Sequence, residues 1–275
     1  MRLAVAVGTS EVPRAIPVAL FDGGFDEKLA KAAAAGLDGV ELMTAIPKDL
    51  DARLIRSSLR ANGLGVAAIG SGAVTFITGL TLMDPDESRA QCAEMRLREL
   101  IDFASDVGSP LVTIGSFRGW VRGGGAEMRS RLVAVLRRGA KYAGPRGVRL
   151  AVEPINRYES DLVNTAEGGL ELLRDVDHSG VGLLLDTYHV NIEESSWVGP
   201  FRQVSDAGKL WHVHLGDNNR LPPGEGLIDF SAIVDTLRQV HYGGYLSAEL
   251  LAKPDPDTAA HNTVRHMRMI LEASL

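Results

Sequence analysis

Four apolar runs of this chain close on residues that can bind a metal or move a proton. Val148–Val152 runs into Glu153, Val181–Leu185 into Asp186, Leu210–Leu215 carries His214, and Gly244–Ala248 runs into Glu249. Pro154 follows Glu153 directly. Proline biases the residue before it toward extended backbone, so Glu153 is expected at the last position of a strand. Three carboxylates brought to one spot push each other toward protonation unless a cation neutralises them. A divalent metal held by Glu153, Asp186, His214 and Glu249 solves that problem. Three oxygen donors and one imidazole suit Mn²⁺ best here, with Co²⁺ or Mg²⁺ as alternatives, rather than a thiolate-rich zinc site.

Such a cage needs strands that end together. Eight short apolar runs recur along the chain: Leu3–Val7, Gly39–Met43, Gly65–Ile69, Pro110–Ile114 and the four above. Continuous apolar runs are the mark of parallel strands buried on both faces. Between them lie helical patterns with start signals. These are Asp84-Pro85-Asp86-Glu87 (with Asp84 as the expected cap), Asn164-Thr165-Ala166-Glu167, Asp229 before Phe230–Val240, and a last helix over Asp257–Leu275. Eight strand–helix units predict one (β/α)₈ TIM barrel spanning residues 1–275 as a single domain. An open dinucleotide-binding sheet is disfavoured, because Gly8-Thr9-Ser10 supplies no Gly-x-Gly-x-x-Gly. In a barrel, all four terminal side chains meet at the rim where active sites sit. Side chains alternate along a strand, so His212 shares a face with His214 and is expected as a hydrogen-bonding neighbour or a packed core group. The long loops 70–83 and 115–125 lie on the same side, as candidate lids.

Composition narrows the field. The 275 residues carry a net charge of −6 with 45% hydrophobic and 23% charged residues, which argues against a nucleic-acid or anionic-membrane surface. The single cysteine excludes an internal disulfide and suits a reducing compartment. Leu3–Val7 is too short for a signal peptide and no run reaches a bilayer span. A cytoplasmic enzyme is expected.

Further pieces are specific. They are Glu153-Pro-Ile-Asn-Arg-Tyr-Glu159, Asp186-Thr-Tyr-His-Val-Asn-Ile-Glu193-Glu194, and His212-Val-His-Leu-Gly-Asp-Asn-Asn-Arg220 with Pro223-Gly224-Glu-Gly226. With Asp84-Pro85-Asp86 they resemble the sugar phosphate isomerase/epimerase family of xylose-isomerase-like barrels, nearest the ketose 3-epimerases and keto-sugar-acid epimerases. The resemblance implies that Glu153, Asp186, His214 and Glu249 hold the metal and that Glu153 and Glu249 are the acid/base pair. It implies that Glu159, His189 and Arg220 hold the first carbons and oxygens of a keto sugar. It also implies an isomerase, of the kind that epimerises carbohydrates, assembled as a homodimer or homotetramer.

The chemistry is consistent with these residue types. A hydrogen beside a ketone is weakly acidic, and a metal on the carbonyl and a neighbouring hydroxyl oxygen stabilises the cis-enediolate left when it departs. One glutamate removes the proton and the other returns one to the opposite face, a step worth ~10²–10⁴-fold. One departure stands out. Arg118, after the fourth strand, resembles members with acidic substrates, so Arg118, with Arg122, is expected to grip a carboxylate or phosphate. Alternatives are an aldose–ketose or hydroxypyruvate-type isomerase and a lyase or C-deglycosylating enzyme acting on a 3-keto glycoside. More remote are an endonuclease IV-like nuclease, for which the histidines are too few, and a non-catalytic sugar-binding protein.

Overall fold

Parallel strands β1 (Arg2–Gly8), β2 (Gly39–Met43), β3 (Gly65–Gly70), β4 (Leu111–Ile114), β5 (Arg149–Val152), β6 (Val181–Asp186), β7 (Leu210–Leu215) and β8 (Tyr245–Ala248) close in sequence order into a barrel. A computed structural model describes residues 1–12, 16–121, 123 and 125–273. Arg122, Gly124 and Leu275 lie outside the described residues.

Among the described residues, ten α-helices surround the strands. They are α1 (Phe25–Ala34), α2 (Ala52–Ala61), α3 (Gly72–Thr78), α4 (Glu87–Val107), α5 (Gly125–Ala143), α6 (Ala166–Val176), α7 (Thr187–Glu193), α8 (Gly199–Asp206), α9 (Phe230–Gln239) and α10 (Pro256–Glu272). The outward side chains of the strands (Val5, Leu42, Val112, Leu150, Leu183, Val213 and Leu246 among them) join the helices in the main hydrophobic core. The barrel floor is a smaller cluster of Ala4, Ala67 and Tyr245. A Cβ at Gly65 would meet the Tyr245 hydroxyl at 2.2 Å, so that glycine is what lets one ring fill the floor.

Two helix starts differ from expectation. Asp86, not Asp84, caps α4, accepting from the backbone N–H of Ser88 and Arg89. Asp84 is committed elsewhere: it accepts from Asp86 N at 3.0 Å and from Arg89 Nε at 2.8 Å. The last helix begins at Pro256 under an Asp255 cap. Asp229 caps α9 as expected, and Thr165 caps α6.

The two long loops hold each other. Leu82 N donates to Phe117 O and Met83 N to Arg118 O, at 2.9 and 3.0 Å. The first loop also folds α3, whose Ala73 and Val74 are buried. Two register slips interrupt the strand pairing. On β7 the pairing passes from Leu183↔Leu210 to Leu184↔His212, leaving Trp211 as the extra residue. On β3 it passes from Val40↔Val66 to Glu41↔Ala68. An extra residue of this kind re-aims the side chains beyond it.

Candidate active site

The rim of the barrel gathers Glu153, Asp186, His214 and Glu249, with one ligand atom from each lying within 4.8 Å of the others. His214 Nδ1 is 3.6 Å from Glu153 Oε1 and 3.5 Å from Glu249 Oε2. Gly115 makes this possible: a Cβ there would meet Glu153 Oε2 at 2.3 Å. Asp186 serves twice, since its other oxygen accepts from Tyr188 N and caps α7. Glu153 Oε1, Asp186 Oδ2 and His214 Nδ1 are buried and lack a hydrogen-bond partner. Buried polar atoms are nearly always paired, so three orphans facing one point fit a divalent ion. Oxygen-rich donors with one imidazole fit the same class of ion.

The charges are balanced unevenly. Burial raises Glu153 to about 7, with Glu249 and Asp186 adding to the rise and His214 opposing it. Burial also raises Asp186. For Glu249 burial acts the same way, but His214 and Arg220 outweigh it and hold the carboxyl below its ordinary range. Burial opposes a charge on His214, yet Glu41 and Glu249 hold its pKa well above normal. Arg220 donates to Glu249 Oε2 at 2.6 Å, lies 3.2 Å from Asp186 Oδ2, and stacks 4.5 Å over the Tyr188 ring. Its backbone is left-handed, φ 59°, which costs a non-glycine residue about 1–3 kcal/mol and persists where surroundings enforce it. Asp217 does the enforcing. It accepts from the N–H of Gly224, Gly226, Ile228 and Asn218, so it organises the loop that presents Arg220.

A cavity of about 220 Å³ opens above the cage. Glu153, Glu249, His214, Glu159, His189 and Arg220 line its polar side, and Ile16, Val18, Met43, Phe76 and Ile155 its apolar side. That is smaller than the ~300–1,000 Å³ typical of drug-sized sites. His189 enters with a fixed tautomer. Tyr158 N donates to Asn156 Oδ1, so Asn156 Nδ2 is the donor to both His189 Nδ1 (2.8 Å) and Glu159 Oε1 (2.9 Å). His189 Nε2 therefore carries the hydrogen, 3.7 Å from Glu153 Oε1. Burial holds this imidazole well below its usual pKa, hence neutral.

Arg118 requires a correction. It is fully buried, and its Nε donates to Leu162 O, its Nη1 to Gly115 O and Glu153 O, and its Nη2 to Ser160 Oγ, Leu162 O and Val163 O. An arginine has five N–H donors, and all are taken by this chain. It does not line the cavity and cannot grip a substrate anion. Burial lowers its pKa to about 10, which leaves it cationic at neutral pH.

Two residues of the site do not announce themselves in the sequence. Asn156 is one polar group among several in its loop. Glu41 lies inside β2, where its Oε2 accepts from His212 Nε2 at 2.9 Å and His214 Nε2 at 3.0 Å. A carboxylate in mid-run, two positions before Met43 on the same face, is the available signal. His212 is thus a buried hydrogen-bonding group, held neutral by burial.

Fold and site together define a (β/α)₈ barrel with carboxylates and imidazoles clustered at its strand ends. The sequence profile of the xylose isomerase-like TIM barrels matches residues 29–270, and the chain belongs to that family. L-Ribulose 3-epimerase of Methylomonas sp. (strain DH-1) is 30% identical over 249 residues, covering 88% of this chain and 83% of that protein. L-Ribulose 3-epimerase of Mesorhizobium japonicum is 34% identical, covering 82% and 74%. The structure of D-allulose 3-epimerase from Methylomonas sp. in complex with D-allulose superposes with a TM-score of 0.79 at 25% identity over 98% of this chain and 97% of that one. The E. coli 3-keto-D-glucoside 4-epimerase gives 0.82 at 23% identity over 98% and 99%, a likeness of fold. The chain is an enzyme of the epimerase class within the isomerases. No helix among the described residues is long and apolar enough to cross a membrane.

Proposed function

We propose that this enzyme is a metal-dependent epimerase that inverts the carbon beside the keto group of a ketose, in the manner of its 3-epimerase relatives. The observation that carries the reading is the pair Glu153 and Glu249, directly after β5 and β8, facing one small cavity with ligand atoms between them that make no hydrogen bond. Glu153, Asp186, His214 and Glu249 would hold the ion, which supplies Lewis acidity that makes the hydrogen beside the keto group easier to remove. Manganese is the proposed ion, with cobalt or magnesium as substitutes.

The chain's own groups bind the sugar and move the protons. Arg220 and the Nε2–H of His189 donate to substrate oxygens, and Glu159 accepts from a hydroxyl. One glutamate removes the carbon-bound proton and the other delivers a proton to the opposite face. Their environments differ as such roles require: burial lifts Glu153 toward neutrality, whereas Arg220 and His214 keep Glu249 ionised. The apolar wall of Ile16, Val18, Met43, Phe76 and Ile155 excludes water from the reacting carbons. With Arg118 occupied, a neutral far end of the sugar is the better fit. A homodimeric or homotetrameric cytoplasmic protein completes the proposal.

A second reading, epimerisation of a 3-keto glycoside, has one observation in its favour. A neighbouring cavity of about 370 Å³, bounded by Gly8, Lys28, Ala252 and Pro256, shares Ile16 and Pro17 with the first and could receive a second ring. Proton NMR in D₂O, with Mn²⁺ and a panel of free ketoses and 3-keto glycosides, separates the readings. Deuterium with inversion at one carbon of a free ketose supports the first. The same at a keto glycoside alone favours the second. Carbonyl migration or release of an aglycone would make the enzyme an isomerase or a lyase instead.

A further inference from the structure

Glu41 is 1% exposed inside the barrel, and no step of the proposed reaction uses it. Three strands meet at this carboxylate. From β7, His212 and His214 both point Nε2 at its Oε2, at 2.9 and 3.0 Å. From β4, Thr113 Oγ1 reaches its Oε1 at 3.4 Å. Gly70 on β3 leaves room chiefly for Met43 Sδ, and a Cβ there would also stand 3.2 Å from Glu41 Oε1. The register slips on β3 and β7 fall beside Glu41 and His212.

An ionised carboxylate only accepts hydrogen bonds. Each imidazole therefore presents Nε2–H to Glu41. For His214 in its neutral form, the form a metal ligand must take, this leaves the Nδ1 lone pair directed into the cage, 3.6 Å from Glu153 Oε1 and 3.5 Å from Glu249 Oε2 and without a hydrogen-bond partner. The two rings stand at 79° with centroids 5.1 Å apart, so His212 braces the shared oxygen from the side. Metal-binding imidazoles are commonly oriented and made more basic by a carboxylate on the far nitrogen.

We infer that Glu41, braced by His212, is a positioning residue that fixes the tautomer and ring orientation of His214 for the divalent ion. The inference rests on the cage holding such an ion, as proposed above. Glu41 does not itself line the substrate cavity; it reaches the cavity through His214 and, by the long bond, through Thr113. Thr113, on the far oxygen, contributes a long bond and little orientation.

The test is Mn²⁺ titration of chelator-stripped wild-type protein and of Glu41→Gln, Glu41→Ala and Thr113→Val, with the visible spectrum of the Co²⁺ form as a readout of ligand geometry. Glu41→Gln keeps an acceptor oxygen but loses the charge, and is expected to weaken Mn²⁺ binding about 10-fold. Glu41→Ala is expected to weaken it about 100-fold and to shift the Co²⁺ bands. Thr113→Val is expected to stay within about 2-fold of wild type, well below the effect of a lost carboxylate partner. Glu41 variants that bind Mn²⁺ like wild type, a Thr113→Val loss as large as theirs, or two ions per wild-type chain would each overturn the positioning role. Wild type that binds no ion defeats the proposed function itself, and this inference with it. If the Glu41 variants do not fold, long-range ¹H–¹⁵N spectra of histidine-labelled wild type with Mg²⁺ decide. A hydrogen on Nε2 of His214 is expected, and one on Nδ1 overturns the inference.

Discussion

Two buried charge centres meet at Glu153 and could hardly differ more. On one side Arg118 donates to the Glu153 carbonyl at 2.6 Å, and its remaining N–H groups reach Gly115, Ser160, Leu162 and Val163. On the other side the Glu153 carboxylate enters the cage, where Glu153 Oε1, Asp186 Oδ2, His214 Nδ1 and Arg220 Nη1 make no hydrogen bond, although Arg220 Nη1 lies 3.2 Å from Asp186 Oδ2. The first centre is complete and holds loops together. The second is incomplete and keeps like charges close, which folding alone does not favour. A buried charge with every bond made is structure. Buried carboxylates gathered around a cavity, with ligand atoms that make no hydrogen bond, are a group that could hold an ion.

Breaking the incomplete centre should have the largest effect on turnover. Glu153→Gln or Glu249→Gln is expected to lower kcat by ~10²–10⁴-fold with circular dichroism unchanged. Breaking the complete centre should act on stability. Arg118→Ala leaves several carbonyls buried without donors, and a loss of about 3–5 kcal/mol in urea unfolding is expected. Its effect on kcat/KM should be the same for neutral and acidic keto sugars. A loss confined to acidic ones would restore the anion-gripping role.

The opposite sign is expected when Glu153→Gln is made in metal-free protein. The Glu153 carboxyl sits near 7 in the fold against 4.5 for the free group, so its ionisation costs nothing below about pH 4.5 and progressively more as pH rises. Above pH 7 the cost reaches about 3 kcal/mol. The glutamine variant should thus be more stable than wild type at pH 8, with the gain fading toward pH 4.5 in thermal melts. The smallest effect should come from Asn156→Ala. Removing the donor shared by His189 and Glu159 frees both to rotate, and about 1–2 kcal/mol of transition-state stabilisation should be lost, read as kcat/KM with little change in metal affinity.

The legible part of the fold and site is the part that sequence encodes locally. The eight strands stand out because strands buried on both faces are continuous apolar runs. The cage residues stand out because each interrupts such a run at its end. Glu41 does not, because it lies within the run Gly39–Met43 and gains meaning only when β7 is brought across the barrel. Arg118 looks free as a loop arginine because its partners Leu162 and Val163 lie 44 and 45 residues further along the chain. Asn156 is visible but idle until His189 arrives from the β6 end. The choice between Asp84 and Asp86 as the α4 cap turns on backbone direction around Pro85, which residue type alone does not set.

The most direct measurement is calorimetric titration of Mn²⁺ into chelator-stripped wild type and Asp186→Asn, with ketose turnover in D₂O followed on the same samples. One ion per wild-type chain is predicted, with solvent deuterium appearing at the inverted carbon only as the ion is added. Asp186→Asn should lose both together. Turnover that persists in chelator, or an ion bound equally well by the variant, would contradict the account.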